Sequence, residues 1–212
     1  MTTHRSLARR AAALSAAVAA ALVLAACGSD DDGAGGHGGH DKPSAGAPAG
    51  APDGKGAHNA ADVAFAQGMI PHHRQAVEMA DLAATRASSA QVKKLAAEIK
   101  QAQDPEIRTM SGWLKSWGEE VPAADSGADH SAHHGMPGMM TAADMEKLER
   151  ASGAAFDTAF LELMVKHHQG AVEMAGTEKS KGAHQGAKAL AGRIITTQNA
   201  EITRMDTLLG KD

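Results

Sequence analysis

The sequence predicts an all-α protein, a four-helix bundle made of two tandem helical hairpins related by a pseudo-twofold axis. Ala is abundant, 2% of the residues are aromatic and Tyr is absent; this composition favours helices, and no run alternates β-branched residues as strands do. The chain also repeats itself, because FAQGMIPHHRQAVEMA begins at Phe65 and FLELMVKHHQGAVEMA begins at Phe160. A second stretch recurs at the same offset of about 95 residues, from Ile99 and from Ile194. Each half therefore reads as one copy of a duplicated hairpin.

Residues 1–26 are predicted to be a lipoprotein signal peptide. Three arginines precede an apolar stretch of small residues that is too short and too rich in Ala to predict a membrane-spanning helix. The stretch ends in LAACG, which resembles the bacterial lipobox, and its Cys27 is the only cysteine of the chain, so no internal disulfide can form. An ordinary secretory signal with an incidental Cys is the alternative. The lipobox favours an extracytoplasmic protein that is anchored to the cell membrane by acyl chains on Cys27.

Residues 27–57 are predicted to form a disordered tether, because they consist of Gly, Ala, Asp, Pro and His with almost no large apolar side chain. Such a segment cannot bury enough surface to offset the entropy lost on ordering. We expect it to hold the folded domain away from the membrane.

One domain is predicted from 58 to 212, with a first hairpin over 58–118, a His- and Met-rich connection over 119–140 and a second hairpin over 141–212. Apolar spacing places the long helices at about 59–85, 89–117, 154–179 and 184–209, and a short helix at about 142–150 after the capping residue Thr141. Pro71 predicts a kink in the first helix, whereas Pro105 predicts either a kink in the second or a restart capped by Asp104. Hairpins that each carry one apolar stripe bury those stripes against each other, which gives the bundle.

Adjacent histidines are predicted on both sides of the buried seam. At about 100° per residue, a face centred on Met69 places His73 about 40° to one side and His72 about 60° to the other, with Met79 on the side of His72. The second half repeats this arrangement with Met164, His167, His168 and Met174. Two recurring glutamates project the opposite way and are predicted at the surface, Glu78 and Glu173.

The second helix of each hairpin carries a Gln and a Glu in an otherwise apolar seam, at Gln103 and Glu106 and again at Gln198 and Glu201. A buried carboxylate without a partner is costly, and the histidines of the neighbouring helix are the obvious partners. In one interpretation the Glu–His pairs only fix the register of the bundle. In the other, imidazoles and thioethers bind a metal ion while the Gln and Glu side chains orient the rings or ligate directly.

The combination of paired histidines with methionines favours the metal interpretation over the structural one. A methionine stripe alone is usually core packing, but thioether together with imidazole suits Cu(I). The predicted metal-binding residues are Met69, His72, His73, Met79, Met164, His167, His168 and Met174.

The connection between the hairpins contains a second His/Met cluster, within HSAHHGMPGMM. Its composition is that of a flexible arm that captures copper, and the alternative is a low-complexity tract without a role. The residues of this possible capture loop are His130, His133, His134, Met136, Met139 and Met140.

These motifs resemble the bacterial family known as domain of unknown function number 305. Its pattern F…M(I/V)xHHxxAxxMA is found at Phe65–Ala80, its GMPGMM loop at Gly135–Met140, and its AxGxxFDxxFL segment at Ala151–Leu161. The resemblance covers about residues 59–210. It implies a ferritin-like four-helix bundle and, because some members are exported copper-binding proteins connected with copper tolerance, metal binding at the two His-His pairs and their flanking methionines.

We therefore expect an exported, lipid-anchored protein that sequesters Cu(I) or passes it to an unidentified delivery partner. The first alternative is a dinuclear metal oxidase of the ferritin type. The helices lack the Glu-x-x-His pairs of such centres. Only Glu106 and Glu201, with Asp62 and Asp157 nearer one end, could supply carboxylates. The second alternative is a metal-free interaction module. A net charge of −4 offers no footprint for nucleic acid, and no nucleophile–base arrangement, phosphate loop or nucleotide fingerprint predicts other catalysis.

Overall fold

The computed structural model describes residues 56–123 and 135–211, and this part of the chain is helical. The five helices are α1 (Ala60–Arg86), α2 (Ala90–Trp117), α3 (Ala142–Arg150), α4 (Gly153–Lys181) and α5 (Gln185–Leu208). The predicted all-α fold is confirmed, and the helices begin and end within about two residues of the predicted bounds. The predicted signal peptide, the predicted lipidation residue Cys27 and the predicted tether up to residue 55 lie outside the described residues.

Polar residues at the helix starts explain where the chain turns helical. The side chain of Asn59 accepts hydrogen bonds from the backbone of Ala61 and Asp62, while Asp62 accepts one from the backbone N–H of Asn59. Thr141 and Asp144 form the same reciprocal pair at the start of α3, which confirms the predicted cap. α2 runs through Pro105 without interruption. Of the two outcomes predicted there, the restart capped by Asp104 is therefore wrong.

Two antiparallel hairpins, α1–α2 and α4–α5, pack together mainly through α1 and α4. Their apolar side chains form two separate clusters. The first contains the C-terminal half of α1, the start of α2 and the start of α4, with Leu95, Ile99 and Phe160 among its largest members. The second contains the start of α1, the end of α2, the C-terminal half of α4 and the start of α5, including Phe65, Leu190 and Ile194. The offset of 95 residues exchanges the two clusters, so the pseudo-twofold relation predicted from the sequence is present in the packing.

Two aspartates tie each hairpin to the turn of the other. Asp62 on α1 accepts hydrogen bonds from the backbone N–H groups of Ala183 and His184 in the α4–α5 turn, at 3.1 and 2.9 Å. Asp157 on α4 accepts hydrogen bonds from the backbone N–H groups of Ser88 and Ser89 in the α1–α2 turn, at 3.1 and 2.9 Å. Both carboxylates thus accept hydrogen bonds from backbone N–H groups that have no partner within the helices. They do not serve as the additional metal carboxylates that the oxidase alternative would use.

Candidate metal centre

Four histidines lie in the middle of the bundle and form a layer that we call the histidine layer, His72, His73, His167 and His168. All four are fully buried, which is unusual for side chains that can carry charge. Their helices, α1 and α4, are the pair that joins the two hairpins. The apolar clusters described above supply low-dielectric surroundings on the same helices, so any ion or proton here would exchange poorly with water.

One histidine of each pair binds the glutamate of its own hairpin. Nε2 of His73 lies 2.8 Å from Oε2 of Glu106, and Nε2 of His168 lies 2.7 Å from Oε2 of Glu201. The glutamates are only 21% and 15% exposed, so these bonds form where water competes weakly. The pairing expected between the polar residues of neighbouring helices is therefore present in both hairpins.

The other two histidines meet each other between the hairpins. The ring centroids of His72 and His167 are 3.8 Å apart, with an angle of 43° between the ring planes. Nε2 of His72 lies 3.1 Å from the carbonyl oxygen of Pro137. Neither ring nitrogen of His167 has a hydrogen-bond partner among the described residues. These pseudo-equivalent residues therefore have different surroundings.

The hydrogen bonds fix the tautomers of three rings. A carbonyl and an ionised carboxylate only accept, so Nε2 carries the proton in His72, His73 and His168. In the neutral form of each ring Nδ1 then has a lone pair, and all three Nδ1 atoms are buried without a partner among the described residues. Histidines that ligate metals typically donate their other N–H to a carboxylate or a backbone carbonyl in this way. Such Nδ1 atoms can bind a metal ion without first losing a proton.

Burial keeps the central pair of rings neutral. Burial lowers the pKa of His72 to about 3, and the repulsive effect of a charge on His73 acts in the same direction. Burial also lowers the pKa of His167 well below its usual range, followed by repulsion from His72 and His168, and the nearby backbone carbonyl of His72 does not offset these effects. Only neutral imidazole ligates a metal, so these two rings hold the binding-competent state at neutral pH.

The thioethers predicted as ligands differ in their surroundings. Met69, Met79 and Met164 are fully buried, and each belongs to an apolar cluster. Met174 is only half-buried, although its repeat counterpart Met79 has no exposed surface. Within residues 56–123 and 135–211, no three side chains drawn from His, Cys, Asp and Glu converge as a metal-binding group. A site in this layer would therefore need sulfur to complete its ligands.

The amide side chains predicted beside the site are buried but do not bind the histidines. Gln103 is 2% exposed and Gln198 is 3% exposed. Both amide heteroatoms of Gln103 and the amide oxygen of Gln198 have no partner in the described part of the chain. Glu78 and Glu173 lie at the surface, as their helical positions predicted.

A loop from Met136 to Met140, which we call the 136–140 loop, closes over the histidine layer. Pro137 accepts the hydrogen bond from His72, and Gln75 binds the backbone of Met140 twice, from N–H to Oε1 at 2.7 Å and from Nε2 to the carbonyl at 3.0 Å. Gly138 has a φ of +78°, a conformation that favours glycine, and a Cβ placed on Gly170 would lie 2.0 Å from the carbonyl oxygen of Pro137.

Sequence reasoning did not single out Gln75 and Gly170 as functional residues. They occupy equivalent positions of the repeat, so the mismatch between Gln and Gly was the available signal. Of the predicted capture loop, His130, His133 and His134 lie outside the described residues. Met136 and Met139 are half-buried and Met140 is 3% exposed.

The fold and the layer define a helical-bundle protein with a buried set of four imidazoles. The chain belongs to the family described as domain of unknown function (DUF305), whose signature matches residues 62–209. A DUF305 protein from Streptomyces coelicolor, described as secreted, is 36% identical, with 71% of this chain and 93% of that chain covered and a TM-score of 0.64. A DUF305 fragment from Deinococcus radiodurans is 31% identical, with coverage of 73% and 98% and a TM-score of 0.63.

A third similar structure is CopM in the Cu(I)-bound form, which is 33% identical, with 69% of this chain and 94% of CopM covered and a TM-score of 0.58. CopM has also been solved in Ag-bound and Cu(II)-bound forms. No curated protein matches this sequence. Among the helices of the described residues, none is long and apolar enough to span a membrane.

Proposed function

We propose that this protein binds Cu(I) outside the cytoplasmic membrane, through the histidine layer and neighbouring thioethers, and that it sequesters the ion or passes it on. The observation that carries the proposal is the set of buried Nδ1 atoms on His72, His73 and His168, which present lone pairs without donors. A buried acceptor without a partner costs about 1–3 kcal/mol. A ligand that satisfies these atoms would recover that free energy.

The ligand chemistry supports a soft ion. Met69 and Met164 are fully buried on the same helices as the histidines, three and four positions before them. Thioether and neutral imidazole are ligands that suit Cu(I), whereas hard ions prefer carboxylates and water. Similarity to CopM, solved in Cu(I)- and Ag-bound forms, supports the same choice.

The export and anchoring of the protein belong to the same proposal. LAACG at Cys27 supports lipidation, and similarity to a family member described as secreted supports an extracytoplasmic location. We further propose that the 119–140 connection contributes His130, His133 and His134, together with its methionines, to metal capture.

The oxidase alternative has less support. Glu106 and Glu201 are each bound to a histidine, and Asp62 and Asp157 bind backbone N–H groups at the ends of the bundle. A carboxylate-bridged pair of hard ions would require groups that are already occupied. The metal-free alternative accounts for the Glu–His bonds but provides no partner for the buried Nδ1 atoms.

The proposal is tested by titrating the purified protein with Cu(I) under reducing conditions. Changing His72, His73, His167 and His168 together to Ala is expected to abolish binding to the histidine layer. Circular dichroism establishes whether the variant remains folded. Equal Cu(I) affinities for the variant and the unchanged protein would contradict the proposal.

A milder pair of variants tests the role of the glutamates without opening the core. Glu106→Gln and Glu201→Gln keep an oxygen that accepts from the ring but remove its charge, so we expect Cu(I) affinity to fall about 10–100-fold. Glu78→Gln, at the surface of α1, is the matched control and leaves affinity unchanged. Unchanged affinity in both site variants would show that the carboxylates do not orient ligand rings.

A further inference from the structure

Three of the methionines in the described residues remain partly exposed, and two of them meet. Met136 precedes Pro137 in the 136–140 loop, and Met174 lies on α4. A Cβ placed on Gly68 of α1 would lie 3.0 Å from Cε of Met174 and 3.5 Å from Sδ of Met136. The methyl group of Met174 and the sulfur of Met136, from distant parts of the chain, therefore lie close to one point where a glycine leaves room for them.

We propose that Met136 and Met174 form an outer soft-metal site, separate from the histidine layer, which accepts Cu(I) before the ion reaches His72 and His167. This inference rests on the proposed function and adds the point at which the metal enters. Two neutral thioethers bind a soft monovalent cation and discriminate against hard cations. Their partial exposure allows an ion to be exchanged with solvent or with a donor protein.

The difference between the two halves supports a specific role for this pair. Met79 is the repeat counterpart of Met174 and is completely buried in the first apolar cluster. Leu163 is the counterpart of Gly68 and would fill the corresponding space. The 136–140 loop occurs only once in the chain, so Met136 has no counterpart. The same methionine position therefore serves packing in one half and is accessible in the other, where glycine and a second thioether accompany it.

A cavity of about 270 Å³ extends from Met174 to Pro137 of the loop that covers the histidine layer. It is lined by Phe65, Pro137, Met174 and Glu178, among others. Pro137 is also the residue whose carbonyl accepts from His72. Met136 is therefore adjacent in sequence to the residue that contacts Nε2 of His72.

Transfer along this path is a ligand exchange. Cu(I) leaves thioether sulfur for imidazole nitrogen, and its oxidation state does not change. Because Nδ1 of His72 carries no proton, the exchange at this atom releases none.

The outer site is tested by titrating the full-length protein with Ag(I), which mimics Cu(I) and does not change oxidation state, and by counting bound ions with native mass spectrometry. Met136→Leu combined with Met174→Leu is expected to bind one Ag(I) fewer per chain than the unchanged protein. Met145→Leu, a change at a buried methionine of α3 that is assigned to neither site, is the matched control and keeps the full count.

A second variant displaces the thioethers without removing them. Gly68→Leu copies residue Leu163 of the other half and fills the space where the two side chains meet, so the outer ion is expected to bind more weakly and the inner site to load more slowly. Gly176→Ala is the control, because a Cβ there meets open space. Adding Met136→Leu and Met174→Leu to the variant that lacks all four histidines of the layer should lower the number of Ag(I) ions it binds by one.

The outcomes separate the two proposals. If the unchanged protein binds no Ag(I), both the proposed function and the outer site are wrong. If it binds Ag(I) but the Met136/Met174 double variant binds the same number with the same affinities, only the outer site is wrong. Loss of all ions in the four-histidine variant would also exclude an outer site that binds by itself.

Discussion

The two hairpins keep the same core but not the same surroundings for their equivalent residues. Phe65 and Phe160, Leu95 and Leu190, Ile99 and Ile194, and Met110 and Met205 are all buried at equivalent positions. Each hairpin also has the same His–Glu hydrogen bond and the same aspartate tie to the opposite turn. The duplication therefore retained both the packing and the polar arrangement of the site.

Four of the differences between the halves involve the surroundings of the 136–140 loop. At equivalent positions of the repeat, Gln75 corresponds to Gly170, Gly68 to Leu163, Met79 to Met174 and Ala83 to Glu178. One member of each pair contacts the 136–140 loop or lines the cavity beside Pro137, and Gln75 and Gly170 both do so. A loop that occurs once in a duplicated fold can dock on only one side, so the residues that receive it diverge. These four differences lie where the 136–140 loop covers the histidine layer, whereas the His–Glu bonds and the aspartate ties are the same in both halves.

The largest effect is expected from the aspartate ties, where the two halves agree. Asp62→Ala removes a fully buried carboxylate that accepts three backbone N–H bonds, so we expect the free energy of unfolding to fall by about 3 kcal/mol. Asp157→Ala, at a half-buried position that water can partly hydrate, should cost about half as much. Urea unfolding of the metal-free protein measures both. Equal losses would mean that burial does not distinguish the two ties.

A change of comparable size is expected where the halves differ. Gly170→Ala places a Cβ 2.0 Å from the carbonyl oxygen of Pro137, so the 136–140 loop must move, at a cost of about 1–3 kcal/mol. Gly176→Ala on the same helix meets nothing within 4 Å and should stabilise by about 0.5–1 kcal/mol through helix propensity. Thermal unfolding of the two variants should therefore shift in opposite directions. A stabilised Gly170→Ala protein would contradict the docking of the loop on α4.

The internal repeat explains how much could be predicted from the sequence. Helix number, the pairing of hairpins and the burial of His72 and His167 follow from an apolar period and from recurrence of rare residues at one offset. The Glu–His bonds follow from the cost of a carboxylate in an apolar seam.

The 136–140 loop could not be predicted in the same way, because its contacts depend on tertiary packing and on no local period. Gln75 looked like an ordinary polar position, and Gly170 like a tolerated glycine within a helix. The aspartate ties were within reach, since Asp62 and Asp157 recur at the repeat offset, although the turn residues they bind differ between the halves. Their role was missed because angular position on a helix does not indicate which backbone lies at its end.

A smaller effect on stability is expected from changes to His72 and His167, whose rings meet between the hairpins. In the metal-free protein, His167→Leu replaces an imidazole without hydrogen bonds by an apolar side chain, so stability should rise by about 1 kcal/mol. His72→Leu removes the donor to Pro137 and should lower stability by about 1 kcal/mol. Chemical denaturation without metal compares them. If both variants were destabilised equally, the two rings would be equivalent despite their different partners.

The last effect depends on pH and concerns Glu178, which stands where the first half has Ala83. Its carboxyl is 1% exposed, and neither oxygen accepts a hydrogen bond from an N–H within the described residues. Burial, followed by the interaction with the neighbouring Asp62 carboxylate, raises the pKa of Glu178 to about 8, with Lys188 opposing weakly. Burial alone would raise the pKa of Asp62 as well, but hydrogen bonds from the backbone of Asn59 and of the α4–α5 turn, together with the neighbouring Glu178 carboxyl, lower it.

The sign of the resulting pH dependence follows from which state holds the proton. Between the ordinary pKa of 4.5 and the raised value of about 8, the folded protein keeps the proton on Glu178 and the unfolded chain releases it. Unfolding then releases a proton, so the stability that Glu178 contributes is complete below about pH 4.5 and is lost as the pH rises to about 8. The slope is at most about 1.4 kcal/mol per pH unit. Glu178→Ala, which restores the residue of the first half, should flatten the decline of stability between about pH 6.5 and 8. Glu173→Ala, at the surface of the same helix, is the control and should leave this decline intact. Identical slopes in all three proteins would show that Glu178 is ionised in the folded state.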